Sequence, residues 1–141
     1  MKNVVVLGAI VGSLSVFPAK AETLLCVEQI SGGLKFLDGE WRSTTFRLSN
    51  PQYVVSPKNG EPNTYEVKQL GKSYPDFTCE RKVVDGQPSE QMACGGLGYG
   101  MLINFNALRF VEIYTFGYIE DDRSGGNTPF VTGGQCSAIS P

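Results

Sequence analysis

Histidine is absent from this chain, and that absence narrows its chemistry more than any motif present. Without it there is no Ser-His-Asp or Cys-His arrangement, no ordinary catalytic zinc site, and no imidazole base working near neutral pH. Catalysis would have to rest on carboxylates, lysine or tyrosine, and no catalytic residue, cofactor or metal is assigned. No Cys-x-x-Cys pair occurs, which disfavours a four-cysteine zinc site. Basic runs and basic-aromatic interleaving are also missing, which argues against a nucleic-acid partner. No fixed-period repeat, linker or low-complexity tract divides the chain, so a single domain is expected.

The long apolar run that does exist lies at the N-terminus. Lys2 precedes Val4 to Phe17, and Pro18-Ala19-Lys20-Ala21 supplies an Ala-x-Ala cleavage site. The run is shorter than the ~20 residues that span a bilayer. Residues 1–21 are therefore read as a cleaved signal peptide and residues 22–141 as one β domain. A lipid-bearing Cys26 is disfavoured by the bulky Leu25 before it and by the odd number of cysteines it would leave. The expected product is periplasmic or secreted and does not span a membrane. Losing Lys2 and Lys20 leaves ten basic residues against fourteen acidic ones, a mildly acidic domain that would be steered toward basic partners.

Cys26, Cys79, Cys94 and Cys136 form an even set, which in an oxidising compartment reads as two disulfides. Of the three possible pairings, the segments around Asp85-Gly86-Gln87-Pro88 favour one. Cys79 and Cys94 lie at comparable distances from this turn, on the two arms Phe77–Val84 and Ser89–Cys94. That leaves Cys26 and Cys136 to join the two ends of the chain.

The rest of the pattern is short extended segments between turns. Thr23–Glu28 reads as a strand and Ser31-Gly32-Gly33 as a turn. Leu34–Leu37, Asp38-Gly39 and Glu40–Leu48 make a type I′ hairpin, with Phe36 opposite Trp41. Tyr53-Val54-Val55 and Thr64–Leu70 follow as strands, and Pro129-Phe130-Val131 as a brief last one. The central stretch Met101–Ile119 predicts a hairpin of Gly98–Phe105 and Leu108–Ile119, reversed at Asn104-Phe105-Asn106-Ala107. Its apolar residues occupy both phases of a two-residue period, so coverage on both faces is expected. Five glycines between Gly95 and Gly117 disfavour a helix there. The predicted fold is all-β, a small antiparallel sandwich or barrel of eight to ten short strands with two disulfides.

Few residues stand out for chemistry. Glu112 interrupts an aromatic face of Phe110, Tyr114, Phe116 and Tyr118. If buried it would titrate high and could act as an acid; the plainer expectation is an ion pair with Arg109 or another base, or a solvent-facing edge. Gly95 to Gly100 lacks the strand-loop-helix setting of a phosphate loop and reads as a bend between strands. Glu120–Asn127 lacks the acid spacing of an EF-hand loop and reads as a solvated acidic turn. Trp41, Tyr99, Tyr114 and Tyr118 join Glu112 as candidates for an interaction site, since aromatics with a polar edge anchor interfaces.

Trp41 with Gly39 resembles the Gly-x-Trp of lipocalin-type barrels, in a chain short for that family. In size, export and cysteine use the chain resembles periplasmic lysozyme and protease inhibitors built on disulfide-stapled β-barrels, without their inhibitory motifs. Another set of features is similar to small exported bacterial proteins with no known activity. These are Cys26, Trp41 with Phe46, Leu108-Arg109-Phe110, Gly117-Tyr118, and Thr128-Pro129-Phe130 with Gly134-Gln135-Cys136-Ser137. That likeness spans most of the mature chain and implies one coherent domain. The function expected is a non-catalytic binding or inhibitor-like module whose partner is a protein or a cell-envelope component. The alternatives are an envelope structural or stress protein and, last, a carboxylate-based hydrolase.

Overall fold

The computed structural model describes residues 22–139, so the predicted signal peptide lies outside the described residues. Eleven strands and one helical turn follow in order: β1 (Thr23–Leu37), β2 (Glu40–Thr45), β3 (Gln52–Pro57), β4 (Thr64–Gln69), β5 (Phe77–Glu80), β6 (Val83–Val84), β7 (Gln87–Pro88), β8 (Gln91–Gly96), β9 (Tyr99–Asn104), β10 (Arg109–Tyr114), α1 (Phe116–Ile119) and β11 (Phe130–Ile139). All pairings are antiparallel. The main sheet runs β11-β10-β9-β8-β5-β4-β3-β1-β2 and closes on itself because β11 also pairs with β1. The result is an eight-stranded meander barrel, with β2 as an overhanging flap on β1 and β6–β7 as a small side hairpin. Closure leaves no free edge along the barrel wall.

Alternation along the strands fills the interior. Leu24, Cys26 and Glu28 of β1 point inward, as do Tyr53 and Val55, Tyr65 and Val67, Phe77 and Cys79, Met101 and Ile103, and Phe110 and Glu112. Period two puts one face of each strand inside and the other in solvent. At one end Tyr65 packs on Phe105, with ring centroids 5.2 Å apart, and the Arg81 guanidinium covers Phe105 at 4.0 Å. That end is plugged with apolar side chains. Gly134 makes room for one of them: a Cβ there would sit 2.1 Å from the Val27 carbonyl oxygen and 2.5 Å from the Phe110 ring.

Both expected disulfides are present. Cys26 and Cys136 face each other across the β1–β11 seam, and Cys79 and Cys94 link β5 to β8. The Asp38-Gly39 hairpin has the predicted register, with Leu37 opposite Glu40 and Phe36 opposite Trp41. Asp38 and Gly39 both have positive φ, as a type I′ turn requires.

Four expectations are corrected. Ser31-Gly32-Gly33 is not a turn, because β1 runs straight through it. Gly33 is instead a crossing point where a Cβ would lie 2.1 Å from the Pro129 carbonyl oxygen. The last strand is ten residues long and passes through Gly133-Gly134, where small residues let β1 approach. Leu108–Ile119 is not one strand: β10 stops at Tyr114, and Phe116–Ile119 forms a single helical turn. Gly117 allows that turn, since a side chain there would collide with the Asn127 carbonyl. The central run is also covered on one face only, with Leu102 and Val111 open to solvent. A barrel of this width has one inside, and among the described residues no second layer packs on these side chains.

Candidate functional site

The end opposite the aromatic plug is open. It holds a cavity of about 540 Å³, within the roughly 300–1,000 Å³ range of small-ligand sites. Three loop segments rim it: the one between β2 and β3, the one between β4 and β5, and the one between α1 and β11.

A bulge between Glu28 and Ile30 determines which β1 residues face the cavity. Below it the even-numbered residues point inward; above it Ser31 and Lys35 line the cavity, while Ile30 is turned out to solvent. One extra residue reverses the phase of a strand. The same strand thus contributes apolar residues to the plug and polar ones to the cavity.

Two carboxylates lie deep in the cavity. Glu112 of β10 is 5 % exposed. Tyr53 donates its hydroxyl to Oε2 at 2.9 Å, and Tyr99 donates to Oε1 at 3.1 Å. Burial pushes the Glu112 carboxyl above the usual carboxylate value, and the two phenols oppose that rise. Burial and the Glu112 charge push both tyrosines up in turn, so they remain protonated donors at neutral pH. Glu28 of β1 is 6 % exposed. Its Oε2 accepts the backbone N–H groups of Ser49 at 3.1 Å and Asn50 at 3.0 Å, and its Oε1 accepts the Thr132 hydroxyl at 3.3 Å. Ser31 and Thr132 share a further hydroxyl contact at 2.9 Å.

The third acid, Asp76, is neutralised locally. It pairs with Lys72 and accepts the Gln69 backbone N–H at 3.0 Å. Among the described residues neither Glu28 nor Glu112 meets a lysine or arginine within ion-pair distance, and Lys35 and Arg47, exposed at the mouth, meet no carboxylate within it. No group of three or more His, Cys, Asp or Glu among them is arranged to hold a metal ion. A second depression of about 570 Å³ lies at the plugged end. There Lys58 pairs with Glu61, and Arg81 donates to the Ser89 carbonyl.

The five candidates from the sequence are divided among three places. Glu112 and Tyr99 meet in the cavity. The expectation that Glu112 pairs with Arg109 or faces solvent is corrected: Arg109 is exposed, because successive strand residues alternate sides and only every second one joins Glu112 inside. Trp41 and Tyr118 meet outside, edge to face at 5.3 Å, and Trp41 donates its indole N–H to Asp121 Oδ1 at 3.1 Å. This contact braces the β1–β2 flap against the α1 segment. Tyr114 stacks on Phe130 and donates its hydroxyl to Asn127, so it holds the rim in place. Glu28, Tyr53, Lys72, Asp76 and Thr132 escaped sequence reasoning. Glu28 alone had a signal, since it shares the inward phase of Leu24 and Cys26.

Among the described residues no helix is long and apolar enough to cross a membrane. Comparison with protein-family models, with curated proteins and with solved structures gave no match to this chain.

Proposed function

We propose that this protein is an exported, non-catalytic binding module of the periplasm or the extracellular space, and that it takes a small polar ligand into the open end of its barrel. One observation carries this reading. The barrel is packed with side chains at one end and left open at the other, around two buried, hydrogen-bonded carboxylates. Burying carboxylates in a protein interior is costly, and among the described residues neither of these has a lysine or arginine within ion-pair distance. The two disulfides support an oxidising compartment, and the apolar N-terminal run supports export.

Amide-resolved NMR with a panel of small amines, acids, sugars and peptides tests the reading. Ligand-dependent shifts confined to residues such as Ser31, Gln69, Tyr99 and Thr132 are expected. A panel that leaves those amides unmoved at millimolar concentration rejects it.

A second reading, a carboxylate-based hydrolase, is favoured by one feature. Glu112 is a buried acid with a raised proton affinity inside a cavity, the setting of a general acid. Under that reading Glu112→Gln abolishes any hydrolysis found; unaltered turnover would remove Glu112 from the chemistry.

A further inference from the structure

The cavity has a polarity, and that polarity specifies a ligand class. This inference rests on the reading of the open barrel end as a ligand site. At the floor are Glu28 and Glu112, each more than nine-tenths buried and each without a cationic partner among the described residues. At the mouth are Lys35 and Arg47, both exposed and both without an anionic partner among the same residues. The charges are segregated by depth rather than paired. A fold that needed them only for its own stability would bring them together, as it does with Lys72 and Asp76.

The floor still has acceptor capacity. Each oxygen of Glu112 receives one tyrosine hydroxyl, and a carboxylate offers about four lone-pair sites. An ammonium brings up to three donors and the missing positive charge, in surroundings where a charge-assisted hydrogen bond is strong. The arginine fork at the mouth suits a carboxylate, which it can hold by two parallel bonds. Phe46, Tyr99 and Phe130 line the walls between the two levels and offer an apolar surface for the body of the ligand.

We propose that the open end of the barrel binds a zwitterion of amino-acid or short-peptide type, its ammonium seated between Glu112 and Glu28 and its carboxylate held at the mouth by Arg47 and Lys35. No bond forms or breaks in this step.

Three probes test it on the full disulfide-bonded domain by NMR titration: the dipeptide alanyl-phenylalanine, its N-acetyl derivative and its C-terminal amide. The free dipeptide is expected to shift cavity amides and bind tightest. N-acetylation removes the ammonium and should weaken binding about tenfold or more, whereas amidation should weaken it by about threefold to tenfold. In Glu112→Gln the gap between dipeptide and N-acetyl dipeptide should shrink, and in Arg47→Ala the gap between acid and amide should shrink. Glu28→Gln serves where Glu112→Gln does not fold. N-acetyl dipeptide binding as tightly as the free form overturns the zwitterion inference and leaves the cavity a binding site for another class. If no probe of any charge moves a cavity amide, both the inference and the binding reading fall.

Discussion

Tyr53 and Glu112, 59 residues apart in sequence, meet inside the barrel with the phenol donating to the carboxylate at 2.9 Å. Tyr53 starts near the mouth on β3, and Glu112 stands on β10, so the bond spans the interior between non-adjacent strands. Removing the donor should therefore be costly. Tyr53→Phe is expected to lower unfolding stability by about 1.5–3 kcal/mol, the range for a hydrogen bond to a charged group. Urea denaturation followed by tryptophan fluorescence measures it, and a change under about 0.5 kcal/mol would contradict the bond.

The same pair sets a pH dependence. The folded-state proton affinity of Glu112 is raised, mainly by burial. A group of this kind contributes most stability where it is protonated in both states, and loses that contribution as pH rises from the ordinary glutamate value through the raised folded value. Melting temperature against pH should show this decline in the native sequence and a flatter profile in Glu112→Gln. Tyr99→Phe removes one of the bonds that lower the Glu112 value, so its decline should extend to higher pH.

The two disulfides should differ in worth. The Cys26–Cys136 bridge joins residues 110 apart, and Cys79–Cys94 joins residues 15 apart. Restriction of the unfolded chain grows with loop length, to about 4.7 kcal/mol for a loop of roughly 100 residues and about 3 for one of roughly 15. Replacing the first pair by serine should thus cost more than replacing the second, as read by chemical denaturation of the two double variants. The reverse order would mean that the barrel seam is held by its ladder alone.

Gly134→Ala tests the close packing of β11 on β1. The new methyl would meet the Val27 carbonyl and the Phe110 ring, the first of which is backbone and cannot step aside. A loss of about 1–3 kcal/mol or more is expected from forced overpacking. Gly96→Ala, on β8 with open space around its Cβ position, should change stability by less than about 0.5 kcal/mol and serves as the control.

The barrel was legible wherever local chemistry decides structure. Asp38-Gly39 prescribes its hairpin without help from the rest of the chain, and the turn at Asp85-Gly86 puts Cys79 and Cys94 on facing arms. What was not legible depends on partners distant in sequence. Gly32-Gly33 and Gly133-Gly134 look like turn residues, but each is glycine because another strand lies against it. Tyr114 and Phe116 share a phase, yet the chain leaves the sheet between them to pack Gly117 on Asn127. The cavity suffered most. Its Ser31 and Lys35 lie past a bulge that no periodicity reveals, and Asp76 and Lys72 come from a loop with no pattern at all. Glu112 was visible as an acid among aromatics and Tyr99 as a candidate beside it, whereas Tyr53, the phenol donor from β3, was not.

The pairing of Thr23 with Ile139 puts both ends of the described chain beside the aromatic plug, on the far side from the cavity. A tether, an affinity handle or a second domain fused at either end would leave the opening unobstructed. The protein can therefore be anchored to a surface by its C-terminus and still present its mouth to solution.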